Sequence, residues 1–256
     1  MTRILAALGA LLGVGLLALP LVGILLRAPW AEVPARLAQP AVRSALELSL
    51  VCSVSATVAG VVLGLPIAWL LARRDFPGRS VLRGLVTLPM VLPPVVGGLA
   101  LLLAFGRRGV VGSWLESWTG LALPFTTFGV VVAETYVAMP FFVLAAEAGI
   151  RALDPRLEEA AATLGAGPWT RLRRVTLPLL LPSLRAGAIV CWARALGEFG
   201  ATITFAGNLP GRTQTMPLAV YLAFETDPDA AIALSLVLVA VSLAVLVALR
   251  DRWLPA

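Results

Sequence analysis

The sequence has no histidine and no lysine; all 20 of its basic residues are arginine. Without lysine it cannot form the G-x-x-x-x-G-K-[ST] loop that cradles nucleotide phosphates, so ATP hydrolysis by that device is excluded. Without histidine it lacks the commonest general base, the commonest zinc ligand and any Ser-His-Asp triad. Charge of either sign is scarce. Only 13% of the 256 residues are charged, about half the share found in soluble domains. The only cysteines, Cys52 and Cys191, both lie inside apolar runs and read as small packing residues rather than a redox pair.

What is abundant is apolar surface. Hydrophobic residues make up 59% of the chain and mean hydropathy is +0.94. That balance excludes a disordered chain or a small disulfide scaffold and describes an all-α, polytopic membrane protein. The net charge of +6 reads as arginine gathered at the ends of spans rather than as a nucleic-acid surface. Six stretches reach the length of about 20 residues that a bilayer core needs: Ile4–Leu26, Leu46–Ala72, Leu85–Phe105, Thr127–Glu147, Leu179–Phe205 and Ala230–Leu249. The first is longer than a signal-peptide core and reads as a retained span. A single membrane domain, 1–256, is the simplest division.

Arginine placement sets the expected orientation. With the N-terminus inside, the cytoplasmic segments carry Arg3, Arg73, Arg74, Arg79, Arg83, Arg151, Arg156, Arg171, Arg173, Arg174, Arg250 and Arg252. The outer loops carry half as many: Arg27, Arg36, Arg43, Arg107, Arg108 and Arg212. Both termini are therefore expected in the cytoplasm. Prolines recur inside the runs: Pro66, Pro89, Pro93, Pro94 and Pro140, with Gly97 and Gly98 close behind the third group. Such breaks survive in a membrane only where protein or a wet cavity satisfies the freed carbonyls. They fit both helices around a pathway that opens and ordinary kinked packing.

One connection, residues 151–178, is too long for a turn. Asp154-Pro155 starts a helix, Glu158 and Glu159 suit its first turns, and Gly165 ends it. Leu157, Ala160, Ala161 and Leu164 fall on one small apolar face. A second start follows at Gly167-Pro168, and Pro178 and Pro182 open the fifth span. Two short helices joined by a glycine turn are expected, as a self-packed loop or as a knob for a soluble partner.

Glu159-Ala160-Ala161, three residues, Gly165, nine residues, then Val175-Thr176-Leu177-Pro178 resembles the EAA loop of ABC importer permeases of type I fold. The resemblance implies that Glu159, Ala160, Ala161, Gly165, Leu177 and Pro178 couple the membrane path to an ATPase carried on a separate chain. It also accounts for the missing phosphate loop. Arg194 to Thr202, continuing through Ala206-Gly207-Asn208 to Gly211-Arg212-Thr213-Gln214-Thr215-Met216-Pro217-Leu218, resembles the oxyanion branch of these permeases, and its molybdate members above all. The likeness covers roughly residues 42–250.

The resemblance implies a plasma- or inner-membrane subunit that imports molybdate, with tungstate as its chemical twin. It further implies a second permease copy, two ATPase subunits that hold ATP and magnesium, and an outer molybdate-binding protein. No cofactor, metal site or catalytic residue is expected in this chain. Sulfate or thiosulfate import is the alternative within the class. An intramembrane enzyme is the rival outside it, weakened by the missing histidine and lysine.

The tentative translocation residues are Arg194, Glu198, Thr202, Thr204 and Asn208. Arg194 and Glu198, four apart, are expected on one face of the fifth span. A charge at that depth costs at least about 2.5–3.5 kcal/mol, so the pair reads first as mutual neutralisation. Glu134, at similar depth in the fourth span, is expected to join them in one network. Thr202, Thr204 and Asn208 offer neutral donors that ease an anion past without trapping it.

Overall fold

The computed structural model describes residues 2–249. All its regular elements are helical, as the composition predicts. In chain order they are α1 (Thr2–Arg27), α2 (Val33–Leu37), α3 (Pro40–Arg73), α4 (Arg79–Val91), α5 (Pro94–Phe105), α6 (Gly112–Thr119) and α7 (Thr127–Ala152). Then come α8 (Pro155–Thr163), α9 (Pro168–Arg171), a π-helical turn (Leu172–Thr176), α10 (Leu177–Leu196), α11 (Gly200–Ala206), α12 (Met216–Thr226) and α13 (Pro228–Leu249).

Among the described residues, α1, α3, α7, the stretch Pro168–Leu196 and α13 are each long and apolar enough to cross a membrane. The bent pair α4–α5 makes a sixth crossing if counted as one span. The centre of the bundle is α3 against α7 and α10. Along α3 the buried residues are Ala45, Ser49, Cys52, Ser53, Ala56, Gly60, Gly64, Ala68 and Leu71, small almost throughout and, apart from the adjacent Cys52 and Ser53, spaced three or four apart. Lipid tails are as apolar as any side chain, so membrane helices associate by close packing, which small residues permit. Phe142, Val143, Ala146 and Ile150 of α7 fill the facing side, with Leu180, Cys191 and Ala195 of α10. Cys52 and Cys191 are both buried free thiols within this packing.

Two expected spans are not continuous helices. The run read as Leu85–Phe105 starts earlier, at Arg79, and turns through 119° between α4 and α5. Pro93 and Pro94 supply no amide hydrogen, so the carbonyls of Pro89 and Met90 lose the donors that would carry the helix on. The run read as Leu179–Phe205 breaks at Gly197-Glu198-Phe199 into α10 and α11. Phe199 has φ −130° and ψ −56°, outside the helical range.

These two broken spans pack on each other through α5 and α11. A β-carbon at Gly98 would lie 2.7 Å from Thr204 Cβ and 2.8 Å from the Ala201 carbonyl oxygen. Gly98→Val should therefore lower stability by about 1–3 kcal/mol through overpacking. Thermal unfolding of the detergent-solubilised protein checks this; an unchanged midpoint would mean that α5 can move aside.

At the end that carries Gly211, α2 is tied to the start of α13. Arg36 donates to Asp227 at 2.6 Å, and Asp227 accepts from the Ala230 amide at 3.1 Å. The Arg36 hydrogen bond and then that amide hold the Asp227 carboxyl below the ordinary carboxylate range.

Candidate functional site

Two groups of residues stand out: the surface made by the connection between α7 and α10, and the interior where the broken spans meet.

Asp154 caps α8 by accepting from the Arg156 amide at 3.0 Å, and Pro155 takes the first helical position. The other end closes with Gly165 at φ +83°. The Gly165 amide bonds the Ala162 carbonyl at 2.9 Å and the Ala166 amide bonds the Ala161 carbonyl at 3.0 Å. That pair of bonds is a Schellman closure, which needs the left-handed conformation glycine adopts without strain. Between the caps the apolar face is turned outward. Leu157 is 47% and Leu164 88% exposed, Ala160 is exposed and Ala161 half-buried. Glu159 is exposed as well and forms no ion pair among the described residues.

The second expected short helix is not a separate element. Its first turn, α9, runs through the π turn into α10, giving one helical stretch from Pro168 to Leu196. The reason lies in Pro178, which lacks the amide that would close an α-helical bond to Arg174. The turn widens instead, and the Leu177 amide bonds the Leu172 carbonyl five residues back. Leu177 and Pro178 are exposed on this stretch, and Trp169 is 70% exposed beside it.

Three residues that the sequence reading did not single out as a group join here. Glu158 accepts from Thr176 Oγ1 at 2.8 Å and pairs with Arg73 at 3.2 Å. Next to them Glu147, nearly buried, pairs with Arg83 of α4 and with Arg151 at 2.8 Å. The one visible signal was that Glu158 and Glu159 are neighbours on a helix and so must face different surroundings.

At the break in the fifth span, Arg194 Nη2 lies 2.5 Å from Glu198 Oε2. The pair forms, but not along one helix face: α10 has ended between its members. Glu198 is 1% exposed, and its other oxygen accepts from the Ala201 amide at 2.8 Å, in the first turn of α11. One carboxylate therefore neutralises a partly exposed guanidinium and caps a new helix. Glu134 does not complete the expected network. It lies within electrostatic reach of Glu198 yet forms no ion pair among the described residues, and its buried Oε2 has no hydrogen-bond partner.

Thr202 is fully buried with an unpartnered hydroxyl, and the Asn208 carbonyl oxygen is likewise buried and unpartnered. Thr204 is half-buried and donates to the Gly200 carbonyl at 2.8 Å. Beyond Asn208 the chain folds into a compact polar knot. Thr213, Gln214 and Thr215 are buried, Thr127 donates to the Arg212 carbonyl at 2.9 Å, and the Met216 amide donates to Ser49 at 2.7 Å. No group of three or more acidic or cysteine side chains able to hold a metal occurs among the described residues.

Broken membrane helices beside an outward-facing apolar helix fit the membrane subunit of a transporter. The fold matches one of that class: the crystal structure of a bacterial ABC transporter involved in alginate import, with TM-score 0.76 at 20% identity over 95% of this chain and 92% of that one. The family described as the binding-protein-dependent transport system inner membrane component matches residues 60–254, and this chain belongs to it. Individual relatives are similar over nearly their whole length. The molybdenum transport system permease protein ModB of Mycobacterium tuberculosis is 48% identical over 95% of this chain and 92% of that protein. ModB of Escherichia coli is 42% identical over 82% of this chain and 92% of its own length. The protein is thus a multi-pass transport permease and not an enzyme.

Proposed function

We propose that the chain is the permease of an ATP-driven importer of molybdate, working as a homodimer with two ATPase subunits and an outer molybdate-binding protein. The near-full-length likeness to the mycobacterial molybdenum permease carries the substrate reading. ATP and magnesium belong to the ATPase subunits. Both termini face the cytoplasm on this reading, because the arginine-rich connections then lie inside.

Glu159, Ala160, Ala161 and Gly165, with Leu177 and Pro178 beside them, form the coupling surface. An apolar face left largely uncovered on a capped helix supports that role, since the chain itself packs little against it. Of the tentative path residues, Thr204 and Asn208 keep partial exposure and serve as neutral donors to a passing oxyanion. Thr202 is enclosed and meets the path only when α11 moves. Arg194 and Glu198 hold the helix break in register.

Permease, ATPase and binding protein co-reconstituted in vesicles should accumulate labelled molybdate only with ATP, and a large excess of sulfate should not compete. Equal competition by sulfate would move the assignment to sulfate import.

A further inference from the structure

The apolar face of α8 explains how a partner can seat on it, but not how displacement of α8 reaches the membrane helices. Among the described residues, α8 packs chiefly on α9 and the π turn. Its inner side does not press on α3: a crevice of about 290 Å³, lined by Trp69, Glu158, Pro168, Arg171, Leu172 and Thr176, lies between them. What crosses that crevice is polar. Glu158 Oε1 receives both Thr176 Oγ1 at 2.8 Å and Arg73 Nη2 at 3.2 Å. Among the described residues this is the single ion pair that leaves α8.

Each end of the tie is held. Thr176 is 2% exposed and is the last residue of the π turn, directly before α10. Arg73 closes α3, with its guanidinium 5.6 Å from the centre of the Trp69 ring. A carboxylate shared by a hydroxyl and a guanidinium is a directional, charge-assisted link, and partial burial keeps it from being screened away as a surface pair is. The link also reaches α10 at the π turn that leads into it. A π turn before a proline has already given up α-helical bonding, so a pull on Thr176 can change the bend of α10 without breaking a regular ladder.

We propose that Glu158, rather than its neighbour in the EAA sequence, is the positioning residue that transmits movement of α8 to α3 and α10, with Arg73 and Thr176 as its two receivers. This rests on the importer reading above. Glu159 and the alanines make the outward contact, whereas Glu158 makes the inward one.

The test uses the complete reconstituted complex and reads three quantities: ATPase copurified, ATP hydrolysed, and labelled molybdate taken up per ATP. Glu158→Ala and Thr176→Val should copurify the parental amount of ATPase and hydrolyse ATP, because the outer face of α8 is untouched. Molybdate moved per ATP should fall about five- to tenfold in each, the middle of the roughly two- to thirtyfold span that coupling energies between sites convert to. The charge exchange Glu158→Arg with Arg73→Glu should recover part of that loss, which a purely structural role would not require. Ala160→Trp serves as the control for the underlying reading. If Ala160→Trp uncouples while Glu158→Ala and Thr176→Val keep the parental ratio, the tie is refuted and the importer reading stands. If Ala160→Trp is silent too, the coupling surface itself is misassigned. Loss of copurified ATPase in Glu158→Ala at an unchanged transport ratio would also refute the proposal, assigning Glu158 to assembly.

Discussion

Ala160→Trp and Gly165→Val are expected to abolish transport while leaving the membrane helices folded. The two act by different physics. Ala160 lies exposed on α8, so a tryptophan there has room in solvent and holds a partner groove away from the helix. An interface anchor of this kind typically decides 2 kcal/mol or more of binding, so copurified ATPase should fall by about thirtyfold. Gly165 stands at φ +83° with open space around its missing side chain, so nothing would collide with a valine. The cost is in the backbone: a β-branched residue in that conformation is strained by about 1–3 kcal/mol. The Schellman closure opens, and the Ala161 and Ala162 carbonyls lose their partners. Gly165→Ala should be milder than Gly165→Val and in the same direction. Uptake, ATPase activity and copurification, measured on vesicles with equal permease content, check both variants. Parental assembly and transport in both would remove α8 from the coupling path.

The difference between what hydropathy finds and what the backbone does is clearest at the two broken spans. The elbow between α4 and α5 was legible as a break, because consecutive prolines cannot donate the amides a helix needs. Its angle was not, since that depends on α5 lying against α11. The break after Leu196 was hidden. An apolar run continues on either side of it, and a hydropathy window averages over one glutamate. Glu198 makes the break tolerable by taking up the Ala201 amide that α11 would otherwise leave free inside the protein. α12 went unnoticed for a related reason: Met216–Thr226 is a helix of 11 residues, too short to register as a span.

The connecting loop shows the opposite balance. Asp154-Pro155 and Gly165 are local signals with local causes, and both caps stand where the residues placed them. The division of labour between Glu158 and Glu159 is tertiary. It depends on Arg73, Thr176 and the π turn, which come from distant parts of the chain or from a proline two residues beyond the turn. Sequence spacing locates the helix; only the packed structure distinguishes its inner acid from its outer one.

Arg194→Ala should lower the amount of folded protein far more than it lowers uptake per folded molecule. Glu198 is 1% exposed and keeps two obligations, the guanidinium at 2.5 Å and the Ala201 amide at 2.8 Å. Removing the arginine strands a carboxylate in a low-dielectric interior, and breaking one side of such a pair typically costs about 3–5 kcal/mol. Arg194 keeps 27% of its side chain exposed, which places the expected loss at the lower end, about 3 kcal/mol. Adding Glu198→Gln to Arg194→Ala should restore much of the folded yield. The glutamine is uncharged, and its carbonyl can still accept the Ala201 amide that starts α11. Glu198→Gln alone should be the less harmful single change, because an arginine with partial access to water is easier to leave unpaired than an enclosed carboxylate. Thermal unfolding and yield in detergent measure the folding side; labelled molybdate uptake normalised to folded permease measures the other. The opposite pattern, a normally folded Arg194→Ala protein that transports nothing, would mean that the guanidinium meets the anion directly and that Glu198 serves to release it.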